Sequence, residues 1–173
     1  MNILICYAST EGQTRKIAQF CAGQLIAKGH SVEVISAGDA DELDLGVFDA
    51  AILAGSVHLG RIQSELGDFA RTHAAVLNGM ATLYLQVSLA RAGEEETDMA
   101  ELAAIASRFC ADSGWTPGAI HQIAGAFRFT QYDFFKAWAM RWIASRKGQE
   151  IDLQGDTEYT DWAELAQILS DWP

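Results

Sequence analysis

The chain has 173 residues, half of them hydrophobic and 20% charged, which is enough for one ordinary domain with a real core and too apolar for a disordered or fibrous chain. Lys plus Arg total 12 against 23 Asp plus Glu, a formal charge of −11, and that excludes general nucleic-acid binding, which needs cations to neutralise phosphates. Cys6, Cys21 and Cys110 include no CxxC pair, so neither a zinc site nor a disulfide framework is expected and no metal is assigned.

Ile3 to Tyr7 is a short continuous apolar run, the pattern of a strand buried on both faces. No basic region or cleavage site accompanies it, so no signal peptide is expected, and no run approaches the length of a membrane span. Reduced thiols and a cytoplasmic location follow as expectations. Ala8 to Thr14 forms a loop of small and hydroxylated residues. Ile17, Phe20, Cys21 and Leu25 then recur at helical spacing, with Gly29 placed to end the helix. A second strand is expected at Val32–Ile35 and a third at Phe48–Ala54, followed by a loop over 55–60. A helix over about 64–77 leads to a fourth strand at 81–87 and a loop over 88–95. Asp98 and Glu101 have capping-box spacing for a helix over 98–112. A fifth strand is expected at 119–124. This alternation of strand and helix calls for a parallel sheet covered on both faces. The alternation breaks over 127–156, and a last helix begins near Thr160-Asp161-Trp162. One domain, 1–173, with a helical insertion at about 127–156 after strand 5, is the organisation expected.

In such a sheet, ligands sit outside the carboxyl ends of the strands. The loop after the first strand carries neither a GxGxxG fingerprint nor a GxxxxGK[ST] phosphate loop. It offers hydroxyls from Ser9, Thr10 and Thr14, a flexible Gly12, and the N–H groups and dipole of a helix start, which suit an anion. A terminal phosphomonoester fits this loop. An ordinary N-capped βα turn has the same composition.

These residues carry a resemblance. Ser9-Thr10-Glu11-Gly12-Gln13-Thr14 after a first strand resembles the FMN phosphate loop of the flavodoxin family. Within it, the chain is similar to the flavodoxin-like, menaquinone-dependent protoporphyrinogen IX dehydrogenases of bacteria. That similarity lies in Glu11-Gly12-Gln13-Thr14-Arg15, in Gly55-Ser56 followed by Gly60, and in Ile123-Ala124-Gly125-Ala126-Phe127-Arg128. It continues through the insertion to Tyr159-Thr160-Asp161-Trp162. The resemblance implies a three-layer sandwich with a five-stranded parallel sheet in the order 2-1-3-4-5. It also implies FMN, with Ser9 to Thr14 on the phosphate. Ser56, Val57, His58, Leu59 and Gly60 would line one side of the flavin ring, and Val87, Ser88, Leu89, Ala90, Arg91 and Ala92 would offer N–H groups to its pyrimidine edge. Many flavodoxins stack aromatics on the ring, whereas these loops contribute His58, Leu59 and Leu89. His58 is the candidate proton donor, a solvated loop histidine being the plainer alternative.

Residues 127–147 hold seven of the 17 aromatics, and five basic residues against Asp133 alone make the segment +4. The rest, with 7 basic and 22 acidic residues, is −15. Phe134, Phe135, Trp138 and Trp142 fall within one ~100° wedge of a helix expected over 130–147. Arg141 and Arg146 flank the wedge. Such a stripe suits a membrane interface or a flat anionic ligand, or else packs as core with its cations at the rim. The implied function is oxidation of protoporphyrinogen IX with a quinone acceptor, as a step of heme biosynthesis. Arg128, Trp138, Arg141, Trp142 and Arg146 would contact the tetrapyrrole or the inner face of the cell membrane. A flavodoxin-type electron carrier and an NAD(P)H:quinone reductase are the alternatives.

Overall fold

A computed structural model of the protein describes residues 1–93, 95–127 and 157–172. The insertion helix expected over 130–147, together with Arg128, Trp138, Arg141, Trp142 and Arg146, lies outside the described residues.

Strand β1 (Asn2–Ala8) is central, as its apolar run requires: Ile3, Leu4, Ile5 and Cys6 are all fully buried. It is flanked by β2 (Ser31–Ser36) and β3 (Ala50–His58), and β3 pairs in turn with β5 (Ala81–Ser88) and β5 with β6 (Ala119–Ala124), all parallel. The order β2-β1-β3-β5-β6 is the expected 2-1-3-4-5 of the five long strands. Between β3 and β5 in the chain lies β4 (Arg61–Ile62), a two-residue strand that folds back antiparallel on β3.

Side chains alternate across the sheet, so β1 feeds two cores. Ile3 and Ile5 face helices α1 (Gln13–Ala27) and α4 (Trp162–Asp171), meeting Ile17, Leu25, Leu165 and Leu169. Leu4 and Cys6 face α2 (Ser64–Leu77) and α3 (Glu96–Ser113), meeting Leu66, Phe69, Phe109 and Trp115. A three-layer α/β sandwich results. Burial pushes the Cys21 thiol up to about 12 and the Cys6 thiol higher still, so both are inert core residues.

Two local expectations are corrected. The stretch 55–60 is not a loop. Strand β3 continues through His58, Leu59 and Gly60 make a two-residue turn, and β4 returns with Val57 opposite Ile62 and His58 opposite Arg61. Gly55 marks a close approach rather than a break, since a Cβ there would lie 2.6 Å from Leu66 Cδ2. Helix α3 starts at Glu96 rather than Asp98, and Glu95 at its N-cap makes no side-chain capping bond. The expected Asp98–Glu101 box is therefore inside the helix, where the acidic first turn of Glu96 and Asp98 acts through the macrodipole instead.

The ends of the insertion are tied together. Two short strands, β7 (Ala126–Phe127) and β8 (Thr157–Glu158), pair antiparallel, and Tyr159 N–H donates to Gly125 O at 3.0 Å. Helix α4 then starts where Asp161 accepts from the Ala163 and Glu164 N–H groups.

Candidate functional site

Because β1, β3 and β5 are neighbours and parallel, the loops leaving their carboxyl ends meet at one edge of the sheet. The order reverses at β1, which makes the β1/β3 crevice the place where loop backbones diverge and a ligand can enter. Ser9–Gly12 and the start of α1 form one side of it. The β3–β4 turn and Gln63 form the second, and the 88–93 turn the third.

The first side has the geometry of an anion cradle. Gly12 sits at the N-cap of α1 with φ +91°, a left-handed conformation that glycine adopts without strain, and it provides no side-chain cap. Ser9 Oγ instead accepts from Gly12 N–H at 2.9 Å, which shapes the loop, and among the described residues no side chain caps the helix N–H groups. Lys16 N–H is the first to bond within the helix, to Gly12 O, so those of Gln13, Thr14 and Arg15 have no intrahelical acceptor. An N-capped turn, the plainer alternative for this loop, would have spent a hydroxyl on them.

Buried orphan atoms mark the same place. Three buried polar side-chain atoms among the described residues have no partner: Thr14 Oγ1, Gln63 Oε1 and Trp115 Nε1. Two of the three belong to this crevice. Thr14 is only 1% exposed, and a hydroxyl so buried without a partner is costly unless a ligand completes it. Phosphate oxygens at this helix start would do so, and the residues present therefore fit a phosphomonoester.

Gln63, the residue before α2, is a site residue that the sequence does not announce. Its Nε2 donates to Thr10 Oγ1 at 3.1 Å and, by a short contact, to Ser56 Oγ, bridging the first two sides. A polar residue before a helix reads as a cap, and no motif signals a bridge to a loop more than 50 positions away.

On the opposite flank of α1, Gln13 turns its side chain away from the cradle. Its Nε2 donates to Glu158 Oε1 and to Thr160 Oγ1, both at 2.9 Å, and Thr160 Oγ1 donates to Ala124 O at 2.6 Å. Lys16 Nζ meets Glu158 Oε1 at 2.6 Å, and Trp162 Nε1 donates to Glu158 Oε2 at 3.2 Å. Burial opposes ionisation of Glu158, but the bonds from Lys16, Gln13 and Trp162, with the Lys16 charge, outweigh it and hold the carboxyl below its ordinary value.

On the third side, Ser88 Oγ accepts from Arg91 N–H at 3.2 Å, and Ala92 N–H donates to Leu89 O at 3.0 Å. The Arg91 side chain spans outward, donating to Gln122 O at 3.2 Å and reaching Glu164 at 3.5 Å. Arg91 thus fixes this turn to β6 and α4. His58 ends β3 half-buried, and Leu59 is 72% exposed at the turn tip. Among the described residues no group of His, Cys, Asp and Glu could hold a metal ion, and no helix is long and apolar enough to cross a membrane.

Comparison with known proteins agrees with this architecture. The family model described as a flavodoxin domain matches residues 4–154. The chain is 30% identical over 169 residues to the "Protoporphyrinogen IX dehydrogenase [quinone]" of Escherichia coli strain K12, covering 97% of this chain and 92% of that protein. Among solved structures, oxidised flavodoxin 2 of Bacillus cereus superposes with a TM-score of 0.55 at 20% identity, over 84% of this chain and all of that one. A cysteine-to-serine mutant of the flavodoxin from Pseudomonas aeruginosa gives 0.53 at 15% identity, over 84% of this chain and 95% of that one. A sheet of this order, an uncapped α1 start and a family match over most of the length lead to one assignment: the chain belongs to the flavodoxin domain family, whose members bind FMN.

Proposed function

We propose that this chain is an FMN-dependent oxidoreductase that converts protoporphyrinogen IX to protoporphyrin IX with a quinone as electron acceptor. The observation that carries the substrate is coverage. The similarity to the E. coli protoporphyrinogen IX dehydrogenase, at 30% identity, spans 97% of the chain and 92% of that protein.

FMN bound in the crevice would supply the redox chemistry. The protein's part is to bind and orient it. The Gln13, Thr14 and Arg15 N–H groups and the Thr10 and Thr14 hydroxyls would hold the phosphate, with Ser9 shaping the loop and Glu11 beside them. Ser56, Val57, His58, Leu59 and Gly60 would line one side of the ring. The 88–93 turn consumes the Arg91 and Ala92 N–H groups, so within Val87–Ala92 the pyrimidine edge falls to Leu89 and Ala90. His58 is the candidate proton donor and acceptor. Among the described residues, the loops 9–14, 56–60 and 87–92 contain no tryptophan or tyrosine, which would suit a flat tetrapyrrole or quinone against the ring. Arg128, Arg141 and Arg146 are assigned to the substrate propionates or anionic headgroups, with Trp138 and Trp142 beside them. The activity is placed at the inner face of the cell membrane, in contact through 128–147, because quinones reside there.

The test is steady-state oxidation of protoporphyrinogen IX by the purified flavoprotein with menaquinone as acceptor. Turnover that falls on His58→Gln with unchanged FMN content supports the reading. Absence of turnover in a protein that passes electrons readily between soluble redox partners replaces it with the carrier reading, which the charge of −11 suits.

A further inference from the structure

Gln63, just before α2 on the second side of the crevice, reaches both ligand segments with its amide. Nε2 donates to Thr10 Oγ1 in the loop after β1 and to Ser56 Oγ near the end of β3. Each hydroxyl oxygen thereby receives a hydrogen on a lone pair, and its own proton must point elsewhere. A serine or threonine hydroxyl has one donor and two acceptor sites, so the direction of this contact decides what each hydroxyl can offer a ligand. The reverse amide orientation would draw both protons to Oε1 and leave only lone pairs facing the crevice.

The arrangement found is the one an acceptor-rich ligand needs. A phosphate monoester dianion presents only acceptor oxygens, and lone pairs of Thr10 turned toward it would repel it. The cost of this choice is visible in the protein: Oε1 is buried with no partner among the described residues. A residue selected for packing alone, such as leucine, would avoid that.

We propose that Gln63 is a positioning residue that sets the hydroxyls of Thr10 and Ser56 as hydrogen-bond donors toward the bound cofactor. This rests on the FMN reading above and adds the residue that gives the site its donor polarity. Thr10 acts on the phosphate side and Ser56 on the ring side.

The experiment compares FMN with riboflavin, which lacks the phosphate, by equilibrium titration of the apoprotein followed through quenching of flavin fluorescence. In Gln63→Leu the hydroxyls are free to turn, and FMN affinity falls by about threefold or less. In Gln63→Glu the carboxylate accepts from both hydroxyls, and FMN affinity falls by at least about tenfold while riboflavin changes less. Added charge near a phosphate has a similar sign, so the decisive comparison repeats Gln63→Glu in a Thr10→Val background. If Gln63 acts through the Thr10 hydroxyl, the FMN penalty of Gln63→Glu shrinks severalfold there. An undiminished penalty overturns the proposal, as do equal losses of FMN and riboflavin in Gln63→Leu and Gln63→Glu, which a purely structural role produces. Should Gln63→Glu fail to fold, the same cycle is run with Gln63→Leu and Thr10→Val, where additive losses overturn the proposal and non-additive losses sustain it. Wild-type protein that binds FMN no better than riboflavin defeats the phosphate reading itself, an outcome distinct from all of these.

Discussion

The start of α1 has two flanks, and they are built in opposite ways. On the Glu158 flank, one carboxylate takes hydrogen bonds from Lys16, Gln13 and Trp162, and Thr160 both accepts from Gln13 and donates to Ala124 O. On the Gln63 flank the groups are uncharged and unfinished: Thr14 Oγ1 and Gln63 Oε1 are buried without partners among the described residues. A fully satisfied network is an anchor, and here it anchors the returning strand β8 to the first turn of α1. An unsatisfied one is a receptor. The same turn serves both, with Gln13 pointing its side chain to the anchor and its N–H toward the cradle.

Thr14→Val breaks the receptor flank and gives the largest effect expected. It removes the buried hydroxyl at nearly constant volume, so FMN affinity falls by about 1.5–3 kcal/mol, the range for a bond to a charged group. The apoprotein, relieved of an orphan polar atom, is equally or more stable in urea unfolding. A loss of apoprotein stability together with unaltered FMN binding would mean that the hydroxyl has an internal role and the two flanks do not differ as described.

Gln13→Leu breaks the anchor flank, with the opposite signature. Gln13 is 7% exposed, and losing its two bonds leaves Glu158 and Thr160 short of a donor. Apoprotein stability falls by about 1–2 kcal/mol, while the FMN dissociation constant moves by less than about threefold because the backbone N–H is retained. Thermal unfolding and flavin titration on the same preparations check both halves.

The asymmetry of the two flanks sets what could be read from the sequence. The strand order and the placing of α2 follow from apolar runs and periodicity, which local composition records directly. The hydroxyls of Ser9, Thr10 and Thr14 are legible because a ligand loop is contiguous. Gln63 and Glu158 are not, since each acts across a gap of more than 50 residues that only the fold closes. Gly55 misled for a related reason: the space it vacates is for Leu66, eleven positions on, and a glycine read locally signals a break. Asp98 misled because its spacing to Glu101 mimics a box that the helix, starting two residues earlier, does not use.

Acidification sharpens the comparison without touching the receptor flank. The Glu158 carboxyl is held below its ordinary value near 4.5 in the folded protein, so its ionised form favours folding. That contribution is fully present above the unfolded value and is lost as pH falls through the lower folded value. The stability difference between wild type and Glu158→Gln is therefore largest at neutral pH and narrows below about pH 4.5. With the side chain one-third exposed, solvent screening keeps the difference modest. A difference that stays constant from pH 7 to pH 3 would show that the charge on Glu158 is not what anchors β8.

The smallest effect concerns the tip of the β3–β4 turn, where Leu59 has φ +49° and Gly60 φ +74°. Positive φ at both central positions is the two-residue hairpin geometry that asparagine followed by glycine adopts best. A leucine there carries left-handed strain of about 1 kcal/mol, and at 72% exposure burial returns little of it. Leu59→Asn is therefore expected to raise apoprotein stability by about 0.5–1 kcal/mol, read from the urea midpoint at unchanged slope. The gain should come with a loss, because an apolar side chain at the lip of the crevice is suited to covering a flat ring. Flavin fluorescence in the holoprotein should rise as the cover is removed, while the phosphate contacts keep FMN bound. If Leu59→Asn stabilises the chain and leaves the flavin spectrum untouched, the leucine has no part in the site, and the receptor ends at Ser56 and Gln63 rather than extending along β3 to the turn.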